Sequence, residues 1–134
     1  MTKALRMLCG TVAMLIAASP AVSGLPAGAL KGLEPGAWEL RERGVEGEGA
    51  VRRLCLSDLR QLIQIRHGRN SCTRLTVDEA AKSLSVSYDC GGAGGGRTDL
   101  RIETPRLVQI RSQGVAEGGP FSFMMEGRRV GDCR

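Results

Sequence analysis

Apolar and polar side chains alternate with a period of two along most of the chain between Trp38 and Met125, and this period restricts the fold more than any other feature. The clearest run is Ser83 to Tyr88, where Leu84, Val86 and Tyr88 alternate with three serines. Successive side chains of a strand point to opposite faces, so this run has one buried face and one face in water. A strand of that kind belongs to an antiparallel sheet. The same reading applies to Trp38 and Leu40, to Leu100 and Ile102, to Val108 and Ile110, and to Phe121, Phe123 and Met125. It also applies to Thr73, Leu75 and Val77, which places those three on the buried face. A further strand ends near Leu54-Cys55-Leu56, after a glycine-rich turn from Gly44 to Gly49.

One interruption has a helical period. Ser57 is a candidate cap, Asp58 suits the positive end of a helix dipole, and Leu59, Leu62 and Ile63 form a stripe that ends before Gly68. The expected fold is mainly β: an antiparallel meander of six or seven strands curling into an open or barrel-like sheet, with one short helix near residues 57–66.

The start of the chain follows different rules. Lys3 and Arg6 precede the apolar run Met7 to Ala18, and Pro20 and small residues follow, which is the order of a removable secretory signal. The run falls short of the ~20 apolar residues of a membrane span. Cleavage sites compatible with small-residue preference lie after Ser23 and after Ala29. The first gives a leader over residues 1–23, a flexible linker over 24–35 and a single disulfide-bonded β domain over 36–134. Loss of Lys3 and Arg6 lowers the formal charge from +5 to +3, and Cys9 departs with the leader.

Cys55, Cys72, Cys90 and Cys133 then remain. An even set in an exported chain reads as two disulfides, and no Cys-x-x-Cys spacing suggests zinc. Counting by twos puts Cys90 and Cys133 on the apolar face and Cys55 and Cys72 on the outer one. The expected bridges are therefore Cys55–Cys72 and Cys90–Cys133.

Most functional classes find no support in the residues. Basic side chains are interleaved with acidic ones, and Trp38, Tyr88, Phe121 and Phe123 are the only aromatics, which argues against a nucleic-acid partner. Gly91 to Gly96 lacks the Gly-Lys-Ser/Thr and dinucleotide spacings and reads as a flexible hairpin connection. His67 stands between Arg66 and Arg69 and reads as a solvated loop residue. A hydrolytic role for it would need Ser71 or Asp58 brought near. No cofactor is expected. Trp38, Met124, Arg128 and Arg129 are the candidate ligand or partner contacts, with core packing the competing reading for Trp38 and edge protection for the two arginines.

Pro35-Gly36-Ala37-Trp38-Glu39, Cys55-Leu56 before the short helix, Cys72 opening a strand, Cys90 closing the next, and Gly127-Arg128-Arg129-Val130-Gly131-Asp132-Cys133 together resemble the domain of unknown function 3617 family. The glycine stretch at 91–96 is longer than that family leads one to expect. The resemblance implies a small exported bacterial protein with a periplasmic address and four structural cysteines, and it carries no catalytic residues. The combined expectation is a non-enzymatic periplasmic binding module for an apolar small molecule or an envelope protein partner, without a membrane span after processing. The alternatives are a small hydrolase using His67 and a purely structural envelope protein.

Overall fold

The computed structural model describes residues 28–44 and 49–134. The leader, residues 1–23, lies outside the described residues, as do the first part of the linker and residues 45–48.

Seven antiparallel strands form one sheet among the described residues: β1 (Gly36–Glu42), β2 (Val51–Leu56), β3 (Thr73–Ala80), β4 (Ser83–Asp89), β5 (Gly94–Thr104), β6 (Leu107–Ala116) and β7 (Gly119–Gly131). The order is β2-β1-β7-β6-β5-β4-β3. Strands β3 to β7 are a continuous meander, β1 and β2 are a hairpin, and the two blocks join where β1 pairs with β7. Edges β2 and β3 do not pair with each other, so the sheet is open. The β6–β7 hairpin turns through Glu117 and Gly118, both at positive φ (54° and 76°), the conformation that matches the twist of the flanking strands.

The inner face carries Trp38, Leu40, Leu84, Val86, Tyr88, Leu100, Ile102, Val108 and Ile110, all buried. Two irregular segments cover it. Residues 57–72 supply Leu62, Ile63 and Ile65, and residues 28–35 supply Ala29, Leu30 and Leu33. The latter stretch, expected to be linker, is thus part of the core: a 3₁₀ turn, Ala29–Gly32, buries its apolar side chains against the sheet.

The helix expected over 57–66 is a single 3₁₀ turn, Leu59–Leu62. Asp58, not Ser57, caps it by accepting from the Arg60 amide. The apolar stripe is still buried, but an isolated helix of two turns has too few hydrogen bonds to offset its nucleation cost. Side chains satisfy carbonyls of the irregular segment instead: Thr98 donates to Ile63 O and Arg52 to Ile65 O, and Gln64, within the segment, donates to Gly68 O and Asn70 O.

The facing of β3 is the reverse of the expected one. Leu75 is 69% exposed and Val77 47%, while Arg74 and Thr76 turn inward. Arg74 lies opposite Tyr88 and Thr76 opposite Val86, both core residues, and directly paired residues share a face. A bulge between Thr76 and Asp78 then shifts the phase.

This reversal corrects the disulfides. Cys72 lies on the same face as Cys90, one position beyond the Thr73–Asp89 pair, with Cα atoms 4.1 Å apart, and the two are bonded. Cys55 is bonded to Cys133, with Cα atoms 5.4 Å apart. Ala37 of β1 lies between Cys55 and Gly131, and a register shift at Ala37/Trp38 re-phases the end of β7, so parity counted from Phe121 fails there. The pairing with Cys72 went wrong because β3 faces the other way, and the pairing with Cys133 because a bulge in the β1–β7 ladder re-phases the end of β7.

Peptide mapping without reductant is expected to yield Cys55–Cys133 and Cys72–Cys90, and no Cys55–Cys72 peptide. In the chain-entropy picture, replacing Cys72 and Cys90 by Ser costs about 3 kcal/mol, and replacing Cys55 and Cys133 costs about 4.5 kcal/mol because the loop is longer. Chemical denaturation of the two double variants checks that order.

Candidate functional site

The sequence motifs at the two ends of the domain meet where β1 pairs with β7. Arg129 donates from Nε to Pro35 O (2.8 Å) and from Nη2 to Asp132 (2.5 Å). A side chain at Gly36 would collide with this arrangement: its Cβ would stand 2.5 Å from Gly131 O and 2.7 Å from Arg129 Nε. Trp38 is fully buried and donates its indole N–H to Glu34 O at 3.1 Å. Gly127 makes room beside it, since a Cβ there would lie 2.9 Å from Val108 and 3.1 Å from Leu40. Trp38 and Arg129, two of the four candidate contacts, therefore hold the sheet together through the core and the main chain.

Met124 and Arg128 lie on the opposite, outer face. Met124 is 47% exposed and lines a depression of about 640 Å³ over β5, β6 and β7, together with Arg43, Asp99, Arg101, Gln109, Arg111 and Glu126. Register builds it. Asp99 lies opposite Arg111 and Arg111 opposite Met124, while Arg101 lies opposite Gln109 and Gln109 opposite Glu126. Glu126 gathers Gln109 (3.1 Å), Arg43 (2.8 Å) and Arg128 (3.3 Å). The Gln109 hydrogen bond is the largest influence holding its carboxyl below the usual carboxylate range; burial opposes it, and the Arg128 and Arg43 guanidiniums add smaller lowering contributions.

Arg101 pairs with Glu103, and Asp99 is engaged by Arg97 and by the Ser85 hydroxyl. Arg111 is different: among the described residues its side-chain contact is with Met124 Sδ at 3.8 Å, and no carboxylate lies within ion-pair distance. The depression thus presents a guanidinium and a thioether side by side. The sequence reading missed Arg43, Arg101 and Arg111. Alternation on each strand placed their side chains on the polar face, but only the register between strands sets them next to one another.

His67 is not solvated. It is 5% exposed and sits over the glycine-rich start of β5. Its Nε2 lies 3.1 Å from both Ala93 O and Val115 O, so that nitrogen carries the proton and donates to both carbonyls. Nδ1 then accepts from the Tyr88 hydroxyl at 3.1 Å. Burial raises the Tyr88 phenol above its ordinary range, and a hydrogen bond from Ser112 partly opposes this. Ser112 in turn contacts Thr98 at 2.8 Å. The glycines expected to be a flexible connection form a 3₁₀ turn, Gly91–Ala93, and the first residues of β5. At Gly96 a Cβ would stand 3.0 Å from Tyr88 Oη and 3.2 Å from the Phe121 ring. Gly94 and Gly96 are glycine because His67, Tyr88 and the backbone of β6 press against them. Asp58 pairs with Arg60, whose side-chain hydrogen bond lowers the carboxyl, and it does not orient His67.

Comparison with known proteins fits this frame. Residues 33–133 match a family model described as protein of unknown function (DUF3617). The chain belongs to that family. No curated protein and no solved structure matches it. In this DUF3617 protein the two disulfides fit an oxidising compartment outside the cytoplasm. Among the described residues no helix is long and apolar enough to cross a membrane.

Replacing His67 by Phe leaves two buried carbonyls without their donor and is expected to cost about 2–3 kcal/mol, read as a lower urea midpoint with an unchanged slope. The depressed Glu126 carboxyl contributes stability above its unfolded value, and that stability is lost as pH falls through the folded value. Glu126→Gln is therefore expected to flatten the acid limb of a stability–pH curve below about pH 4.5 and leave the neutral region's slope unchanged.

Proposed function

We propose that the protein is a periplasmic binding module, exported by its cleaved leader, that engages an envelope protein through the outer face of β5, β6 and β7. The arrangement of Arg111 beside Met124 carries this reading. Arginine and methionine are enriched in protein interfaces, and a cation with no carboxylate within ion-pair distance among the described residues is matched by one on a partner. The partner is a polypeptide surface that presents an acidic side chain to Arg111 and an apolar one to Met124.

The state of the interior weighs against an apolar small molecule held inside the sheet. Trp38, Leu40, Leu62 and Ile63 are fully buried, so a ligand there would have to displace packed side chains. The leader-like order of residues 1–23 and the two disulfides support export, and the family resemblance supports the periplasm as its destination.

A photo-cross-linking residue placed at position 124 and activated in intact cells is expected to give one discrete adduct. Arg111→Glu should abolish it, and the exposed control Arg69→Glu should leave it unchanged, with folding of each variant checked by thermal melting. An adduct indifferent to Arg111→Glu would sink the outer-face reading. Saturable enhancement of 1-anilinonaphthalene-8-sulfonate fluorescence by the folded protein, also indifferent to that change, would return the interior ligand to first place.

A further inference from the structure

Two places in the sequence carry the small residues that a signal peptidase accepts, Ala21-Val22-Ser23 and Ala27-Gly28-Ala29. The structure gives the second a different explanation. The amides of Gly28 and Ala29 both donate to one oxygen of Glu79, at 3.1 and 2.9 Å. A Cβ at position 28 would stand 2.9 Å from that same oxygen, so glycine permits the close approach. Ala29 is 1% exposed and begins the 3₁₀ turn whose Leu33 N–H bonds to Leu30 O at 3.1 Å. Leu30 and Leu33 are buried with it. Gly28 leaves room for the Glu79 carboxylate, and Ala29 is small because it is buried in the core.

We infer that Ser23–Gly24 is the processing site and that Ala29–Leu30 is not cut, a conclusion that rests on the export reading above. Hydrolysis adds one water across the peptide bond, leaving a carboxylate on the departing Ser23 and an α-ammonium on Gly24. The same reaction at Ala29–Leu30 would remove both amide donors from Glu79, discard a core alanine and create a charged ammonium on Leu30, which is 7% exposed. Burying a charge of that kind without compensation is strongly unfavourable. The folded unit therefore begins by Gly28, five residues before the family match starts at Leu33.

Intact mass and N-terminal peptide analysis of the full chain, expressed with its own leader and recovered from the periplasm, tests the assignment. The expected start is Gly24. Ala21→Leu, which spoils the first site, should accumulate precursor, and Ala27→Leu, which spoils the second, should leave the Gly24 start unchanged. Neither substitution touches a described residue, and both are read on mass, so folding does not enter. A start at Leu30, or precursor accumulation in Ala27→Leu, would overturn the assignment while leaving export intact. Unprocessed wild-type chain throughout would instead remove the export reading, and the cut with it.

Discussion

The pairing of the first strand with the last is the constraint on which the rest of the molecule depends. Without it the chain is a two-stranded hairpin and a five-stranded meander, each with an uncovered apolar face. An isolated hairpin is marginal in water. The contact is fixed at three levels: the β1–β7 ladder, the Cys55–Cys133 bridge, and Arg129 reaching back to Pro35 O. Loop closure over such a separation is entropically unfavourable, and a covalent tie removes much of that cost from the unfolded side. The glycines at 36 and 127 belong to the same device, because each leaves the space that Arg129 or the Trp38 side of the core occupies.

An open sheet still has to cover its inner face, and here irregular backbone does so. Buried irregular segments are rare because their amides and carbonyls need partners. Residues 57–72 meet that requirement with side chains: Thr98, Arg52 and Gln64 donate to main-chain carbonyls of the segment, and His67 ties its end to Ala93 and Val115. With the inside filled in this way, the outer face is the exposed surface of the sheet. The polar side chains of three long strands stand there in rows, and nearly all of the charges cancel locally. Arg111 beside Met124 is the exception.

Much of this was legible along single strands. The alternation at Leu84, Val86 and Tyr88, at Leu100 and Ile102, and at Trp38 and Leu40 identified the buried face because a period of two follows from backbone geometry alone. At Leu75 and Val77 the same rule misled. An edge strand has one neighbour, and apolar side chains there can stay in water while Arg74 bends inward to Gln64. His67 was misread for a related reason: its sequence neighbours are arginines, but its partners are 21, 26 and 48 residues away.

The sequence by itself determined the class of fold, the strands, the inward residues of all but the edge strand β3, and the family. These follow from local periodicity, composition and motif order, which need no knowledge of distant neighbours. Only the tertiary structure decided the disulfide partners, the absence of the helix, the inclusion of residues 28–35 in the core and the grouping of Arg111 with Met124. The absence of the helix and the inclusion of residues 28–35 depend on how segments pack onto the sheet, and the disulfide partners and the grouping of Arg111 with Met124 on register and bulges between strands. A shift of one residue there exchanges faces, and no count along a single strand can detect it.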